Sequence, residues 1–188
     1  MNILIVGVGG QGTLLTSKVL GQFAQLMGYD CKLSEVHGMA QRGGSVVTHV
    51  RFGEKVFSPI IWEGGADIIL AFEKLEAFRY TNYLKEGGVM VINDMEIYPM
   101  PVITGAEIYP DDIKETLSSK VKTAFVNATD IAIKAGNVKA LNIVMVGALT
   151  KMLGFEYEVM IKAVEESVPP KFLDINKKAF IAGYQSIG

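Results

Sequence analysis

A glycine-rich segment close to the start of the chain has the spacing of a phosphate-binding loop. Gly7, Gly9 and Gly12 form the pattern G-x-G-x-x-G, with Gly10 and Gln11 inside it. Glycines at these positions allow a tight turn, a close approach of a phosphate, and close packing of a helix on a strand. The helix that follows would point N–H groups and the positive end of its dipole at an anion. The loop residues Gly7, Gly9, Gly10, Gln11 and Gly12 are therefore predicted to bind a phosphorylated ligand, and the alternative is a strand-to-helix turn that binds nothing.

A second segment, from Glu35 to Ser45, gathers hydrogen-bonding side chains after the next predicted strand. The guanidinium of Arg42 suits phosphate or carboxylate, and the amide of Gln41 and the hydroxyl of Ser45 donate and accept hydrogen bonds. The adjacent glycines at 43 and 44 allow a ligand to come close. We expect the ligand contacts of this segment to come from Gln41, Arg42, Gly43, Gly44 and Ser45.

Glu35 and His37 are further candidates in the same segment. Glu35 follows Gly12 at about the 20-residue spacing of the acid that binds ribose in NAD-dependent enzymes. The alternative is a solvated carboxylate, or one paired with Arg42. His37 could act as an acid or base or hydrogen-bond a ligand, although a histidine with no orienting carboxylate is more often structural. His49 lies in the middle of a strand, so we expect it to pack against its neighbours.

Alternating strands and helices would position both loops. Strands are predicted over 2–6, 31–35, 45–52, 66–72, 89–92 and 123–126, and helices over 11–27, 75–84, 130–135, 138–153, 157–167 and 175–184, with a short helix opening at 111–112 and a proline-rich loop over 98–110. This order predicts an α/β fold: a Rossmann-like, mostly parallel sheet with helices on both faces and a helical C-terminal segment. Because the carboxyl ends of parallel strands share one edge, the two loops are expected side by side.

Composition narrows the class of protein. The chain has 188 residues, which we expect to form one domain over 1–188. Its formal charge of −2 gives no basic excess for nucleic acid. The mean hydropathy of +0.29 is high, so either the core is large or a partner covers part of the surface. The absence of a long uncharged apolar run predicts no membrane span, and the absence of a charged leader predicts a cytoplasmic protein.

The single cysteine, Cys31, limits the redox chemistry of this chain. It excludes a disulfide within the chain and an iron–sulfur cluster held by four thiolates of the chain. We expect Cys31 to be a small buried hydrophobe. Two histidines do not indicate a metal site, so none is predicted.

Taken together, the two glycine-rich segments resemble the gamma-type domain of 2-oxoacid:ferredoxin oxidoreductases. The residues that carry the resemblance are GVGGQG at 7–12 and EVHGMAQRGGS at 35–45, supported by the stretches 66–73, 75–80, 87–93 and 142–148. Within the family, the pyruvate branch usually has an acidic residue before Arg-Gly-Gly and a different residue at the position of His37. The version here is most similar to the beta subunit of indolepyruvate ferredoxin oxidoreductase.

This resemblance implies one subunit of an enzyme that oxidatively decarboxylates a 2-oxoacid, here indolepyruvate or another arylpyruvate, with coenzyme A, giving an acyl-CoA and reduced ferredoxin. The family uses thiamine diphosphate with Mg and iron–sulfur clusters. The chain lacks the Gly-Asp-Gly of a thiamine diphosphate site and has one cysteine, so the resemblance places these cofactors on a large partner subunit. This chain would help to place coenzyme A and close the active site. It would be inactive alone, and a homodimer is expected when it is isolated.

Two other functions fit the residues. A free-standing NAD-binding oxidoreductase would use the glycine loop and Glu35, but the chain is short for a cofactor domain plus a substrate domain, and no clear catalytic dyad is present. A nucleotide-sensing module without chemistry would use the same loop.

Overall fold

Six strands form one mixed sheet. The computed structural model describes residues 1–38 and 43–188. The strands are β1 (Asn2–Val8), β2 (Asp30–His37), β3 (Ser45–Gly53), β4 (Ala66–Ala71), β5 (Leu84–Asn93) and β6 (Lys122–Val126). The helices are α1 (Thr13–Leu26), α2 (Lys74–Arg79), α3 (Met100–Ile103), α4 (Ile113–Lys120), α5 (Ala128–Ala135), α6 (Leu141–Leu153), α7 (Tyr157–Ser167) and α8 (Leu173–Gln185). Short 3₁₀ turns lie at Thr81–Tyr83, Val138–Ala140 and Pro170–Phe172.

The strand order is β2-β3-β1-β4-β5-β6. β1, β4, β5 and β6 pair in parallel, whereas β3 pairs antiparallel with both β1 and β2. Five strands therefore run in one direction, and the predicted α/β fold with a mostly parallel sheet is confirmed. Within the described residues, no helix combines the length and the apolar character that a membrane crossing would need.

Helices cover both faces of the sheet, as the continuous apolar strands require. Along β1, Ile3 and Ile5 face a core built with α1, α6, α7 and α8, whereas Leu4 and Val6 face a second core that includes residues of α2 and α4. All four side chains are fully buried. Strand β1 therefore lies at the centre of the protein, and the loop at its carboxyl end is held on a rigid base.

The connection between β2 and β3 corrects one expectation. The sequence suggested that the two glycine-rich loops follow adjacent parallel strands, but antiparallel β3 lies between β1 and β2. The reason is length: β2 ends at His37 and β3 begins at Ser45, whereas a parallel crossover needs about a dozen residues or more. Strands β2 and β3 therefore form an antiparallel pair, and the second segment joins them.

Other differences are local. The helix predicted over 75–84 ends at Arg79, and β5 already begins at Leu84. Gly87 and Gly88, which separate the predicted helix over 75–84 from the predicted strand over 89–92, lie within β5, where Gly87 takes a φ of +72° beside a shift in the register with β4. A positive φ at a glycine accommodates such a bulge without ending the strand. The predicted 98–110 loop contains the short helix α3.

Candidate ligand-binding cleft

An open cleft lies where β1 ends and α1 begins, at the carboxyl edge of the sheet. Its volume of about 370 Å³ is within the range of small-molecule sites. The residues that line it are Gly9, Gly10, Gly12, Thr13, Leu14, Glu35, His37 and Val46. Both segments singled out by the sequence therefore contribute to one cleft.

Backbone hydrogen bonds join the two segments directly. The N–H of Gly9 donates to the carbonyl of Gly44 at 2.8 Å, and the N–H of Gly43 donates to the carbonyl of Gly9 at 3.4 Å. The expected side-by-side placement is thus confirmed for the described residues of both loops. Its cause is the start of β3 pairing with the end of β1, where Ser45 lies opposite Val8.

The first turn of α1 forms the floor of the cleft. Gly12 precedes it with a φ of +86°, and a Cβ at this position would lie 2.8 Å from the side-chain nitrogen of Asn142. That amide donates to the Gly12 carbonyl at 3.3 Å, so α6 fixes the turn. Among the described residues the helix has no side-chain cap, and its first turn has no acidic residue. The N–H groups and positive dipole end are therefore left for an anion.

Gly7, Gly10 and Gln11 have different roles in the loop. The Gln11 side chain accepts from the Val8 N–H at 2.7 Å and donates to the Phe72 carbonyl at 2.9 Å, which ties β1 to β4. A Cβ on Gly7 would come within 3.0 Å of these neighbours. At Gly10, with a φ of +104°, a Cβ would have nothing within 4 Å. Gly10 therefore leaves room for a ligand, whereas Gly7 and Gln11 shape the loop.

Glu35 and His37 form the outer wall of the cleft. In the antiparallel register Glu35 lies opposite Thr48, whose hydroxyl donates to the carboxylate at 3.4 Å, and His37 lies opposite Val46. Because β3 separates β2 from β1, the end of β2 is two strand spacings, or about 10 Å, from the glycine loop. In the NAD-binding fold these strands are neighbours. A carboxylate and an imidazole at this place suit hydroxyl or amino groups of a ligand better than its phosphates.

Ser45 points away from the cleft. Side chains alternate along β3, so Val46 faces the cleft while Ser45 faces α2. Its hydroxyl donates to Glu76 at 2.5 Å and lies 3.4 Å from the Tyr80 hydroxyl. The orientation of the Ser45 side chain therefore does not support the predicted contact of Ser45 with a ligand. Gln41 and Arg42 lie outside the described residues, so their ligand contacts stay predictions.

Two buried glutamates, one capping the start of α2 and one in its first turn, were missed by the sequence interpretation. Glu73 accepts from the Glu76 N–H at 2.8 Å, and its other oxygen accepts from the Tyr109 hydroxyl at 2.6 Å and the Ile97 N–H at 3.2 Å. Glu76 accepts from Ser45 and, at 2.7 Å, from Arg79. The start of α2 thus holds both the beginning of β3 and the segment after β5. The sequence signal was the spacing of an N-cap residue and an acid three residues later.

Burial raises the pKa of the Glu73 carboxyl, and the neighbouring Glu76 adds to this, against the hydrogen bonds that favour the charged form. A carboxyl whose pKa is higher in the folded chain holds its proton more tightly there. Its ionisation therefore lowers the free energy of unfolding as the pH rises above the ordinary glutamate value of about 4.3. We expect the stability advantage of wild type over Glu73→Gln to shrink as the pH rises above that ordinary value.

Urea unfolding at a series of pH values measures this difference. The exposed Glu107→Gln is the matched control and should show no such trend. An advantage of wild type over Glu73→Gln that grows with pH would show that the hydrogen bonds outweigh burial.

The side chains of His49 and Cys31 contact neighbouring residues of the fold. The Nδ1 atom of His49 accepts from the Ile61 N–H at 3.1 Å, and burial lowers the pKa of its imidazole. Cys31 is partly buried on the α1 side, and burial raises the pKa of its thiol. Among the described residues, no group of three or more His, Cys, Asp or Glu side chains could hold a metal ion.

The chain is similar to known proteins over nearly its whole length. The family model described as pyruvate ferredoxin/flavodoxin oxidoreductase matches residues 2–186. The indolepyruvate oxidoreductase subunit IorB of Pyrococcus horikoshii is 44% identical over 191 residues, covering 98% of this chain and 95% of that protein.

Solved structures show the same fold. The gamma subunit of a keto/oxoacid ferredoxin oxidoreductase from Geobacter sulfurreducens has a TM-score of 0.73 and 26% identity, with 98% of this chain and 96% of that chain covered. A 2-oxoglutarate:ferredoxin oxidoreductase from Magnetococcus marinus, solved with 2-oxoglutarate, coenzyme A and succinyl-CoA bound, has a TM-score of 0.74 at 17% identity. It matches 98% of this chain, which corresponds to 30% of its own chain.

Proposed function

The chain belongs to the pyruvate ferredoxin/flavodoxin oxidoreductase family, and we propose that it is the subunit of an indolepyruvate or other arylpyruvate ferredoxin oxidoreductase that helps to place coenzyme A. The family expected from the two glycine-rich segments is thereby confirmed. The choice of arylpyruvate is supported by the names of the relatives that are 40–44% identical, which are subunits of indolepyruvate oxidoreductases.

The uncapped start of α1 inside the cleft is the observation that carries this proposal. Coenzyme A contains a pyrophosphate, and backbone N–H groups at a helix N-terminus bind such groups. The open space at Gly10 admits a phosphate next to the main chain. Glu35 and His37 on the outer wall suit the hydroxyl or amino groups of the same ligand. The presence of coenzyme A in the Magnetococcus enzyme supports this class of ligand.

The cofactors of the reaction are assigned to a large partner subunit. With one cysteine the chain offers too few thiolates for an iron–sulfur cluster, and its sequence has no Gly-Asp-Gly for thiamine diphosphate and Mg. Thiamine diphosphate supplies the decarboxylation chemistry, and the clusters pass electrons to ferredoxin. The residues of this chain bind and orient coenzyme A and shield the reacting groups from water at the sheet edge.

The NAD alternative is less well supported. It needs the acid at the end of β2 next to the glycine loop, and antiparallel β3 separates the two. The nucleotide-sensing alternative uses the same cleft but no large subunit.

Reconstitution tests the proposal. We expect the large subunit alone to lack coenzyme A-dependent oxidation of indolepyruvate, measured as reduction of ferredoxin or methyl viologen, and the addition of this chain to restore it. The isolated chain should show no turnover with any 2-oxoacid. Turnover by the isolated chain, with ferredoxin or with NAD⁺, would contradict the subunit assignment. Binding of nucleotides without any effect on the large subunit would favour the sensing module.

A further inference from the structure

The segment that joins β5 to α4 presents an unusual apolar surface. Met100, Ile103 and Ile108 are 66%, 63% and 90% exposed, and Tyr98 is also largely exposed. Isolated exposed apolar residues are normal, but four within eleven residues form a concentration that marks interaction sites. We call residues 98–112 the β5–α4 surface.

This surface is ordered and folded back on itself. The N–H groups of Ala106 and Glu107 donate to the Pro101 carbonyl at 2.8 and 3.1 Å, which brings the chain before Ile108 next to α3. The rings of Tyr98 and Tyr109 are 5.2 Å apart, and the Tyr109 hydroxyl is held by buried Glu73. The apolar side chains are therefore exposed on a backbone that is held by hydrogen bonds.

The charge of the surface is acidic. Between 94 and 112 the sequence has five acidic residues and no lysine or arginine. Asp94 and Glu96 pair with lysines outside the segment. Glu107, Asp111 and Asp112 are exposed in the same segment as the apolar side chains, and no ion pair involves them among the described residues. Two copies of this chain that met through the same surface would bring these like charges together.

The surface also lies at the edge of the sheet that holds the cleft. β1 and β5 run in the same direction, so the glycine loop after β1 and the segment after β5 both leave the carboxyl edge. A partner that closes over the cleft can therefore reach the β5–α4 surface as well.

We propose that the β5–α4 surface docks onto an apolar face of the large catalytic subunit that is rimmed by lysine and arginine. This inference rests on the proposed function, since it takes the large subunit as the partner. The apolar side chains of this surface supply the buried centre of the contact, and its acidic residues supply the rim, which is the usual arrangement of a protein interface. The rim charges steer association and make it sensitive to salt.

The affinity of the isolated chain for the purified large subunit tests this inference. It is measured at low and high salt with the large subunit immobilised on a sensor surface. We expect Ile108→Glu to weaken binding at least about tenfold, because it places a charge at the buried centre. The double change Glu107→Lys with Asp111→Lys should weaken binding at low salt and flatten its salt dependence. The control Phe57→Glu, at a side chain 83% exposed in the loop after β3, should bind within about twofold of wild type.

Circular dichroism and thermal unfolding verify that each variant is folded. Wild-type binding by Ile108→Glu, or an equal loss in Phe57→Glu, overturns this inference and leaves the proposed function intact. An isolated chain that forms a dimer broken by Ile108→Glu shows a second copy as the occupant and also overturns it. If the wild-type chain does not bind the large subunit, the proposed function fails, and this inference with it.

Discussion

The Leu14→Asp variant is expected to raise the KM for coenzyme A about tenfold or more without lowering the stability of the chain. Leu14 lies in the first turn of α1, is 67% exposed and lines the cleft. A carboxylate there would face the bound phosphate. Two like charges about 6 Å apart repel by about 3 kcal/mol at an effective dielectric constant of about 20, before screening by salt. A tenfold loss needs only about 1.4 kcal/mol.

The same substitution favours the helix itself, because an acidic side chain in the first turn complements the dipole by about 0.3–1 kcal/mol. Binding and stability should therefore move in opposite directions, which a general loss of structure would not produce. Leu14→Asn is the matched control, since it has the same shape without the charge, and its KM should stay within a few-fold of wild type. Steady-state kinetics of the assembled enzyme and thermal unfolding of the chain measure the two effects. An unchanged KM in Leu14→Asp would remove α1 from the ligand site.

The Gly147→Ala variant is expected to lose about 3 kcal/mol or more of the free energy of unfolding. A Cβ on Gly147 would overlap the Phe180 carbonyl oxygen and lie 2.8 Å from the Tyr184 nitrogen. These are backbone atoms of α8, so no side-chain rotation relieves the overlap, and the two helices must separate. Overpacking in a core commonly costs about 1–3 kcal/mol, and a clash with a rigid backbone exceeds this range.

Gly183 is the reciprocal position, because its Cβ would overlap the Val144 carbonyl. Gly183→Ala should therefore be similarly damaging, and the double variant should be less than additive, since a single separation of the helices relieves both contacts. Gly53→Ala, where a Cβ has nothing within 4 Å, serves as control and should change stability by no more than about 0.5 kcal/mol. Urea unfolding measures all four. Stability of Gly147→Ala close to that of wild type would contradict the close crossing of α6 and α8.

The sequence was informative where periodicity and composition decide structure. The apolar runs predicted the strands β1 and β4, and the glycine pattern between strand and helix placed the start of α1 within two residues. The placement of Glu35 and His37 at the same edge as the glycine loop also followed from strand direction. These features depend on local patterns and on one rule for the edge of a parallel sheet.

Most features that the sequence did not predict depend on contacts between residues that are distant in sequence. The face of the sheet on which Ser45 lies depends on the register of β3. This register could not be derived because the sequence interpretation did not recognise the antiparallel pairing of β2 and β3. The side chain of Gln11 looks like a ligand donor until its bonds to Val8 and the Phe72 carbonyl are known. Glu73 is understood only with Tyr109, which no local pattern links to it. The antiparallel pairing of β2 and β3 could have been predicted, because the connection between them is too short for a parallel crossover.

A structure of the assembled enzyme with coenzyme A bound tests the central claim most directly. The account predicts that the pyrophosphate lies in the cleft, with its oxygens at hydrogen-bond distance, about 2.7–3.2 Å, from backbone N–H groups between Gly10 and Leu14. Coenzyme A held entirely by the large subunit, with its phosphates away from the start of α1, would contradict the account.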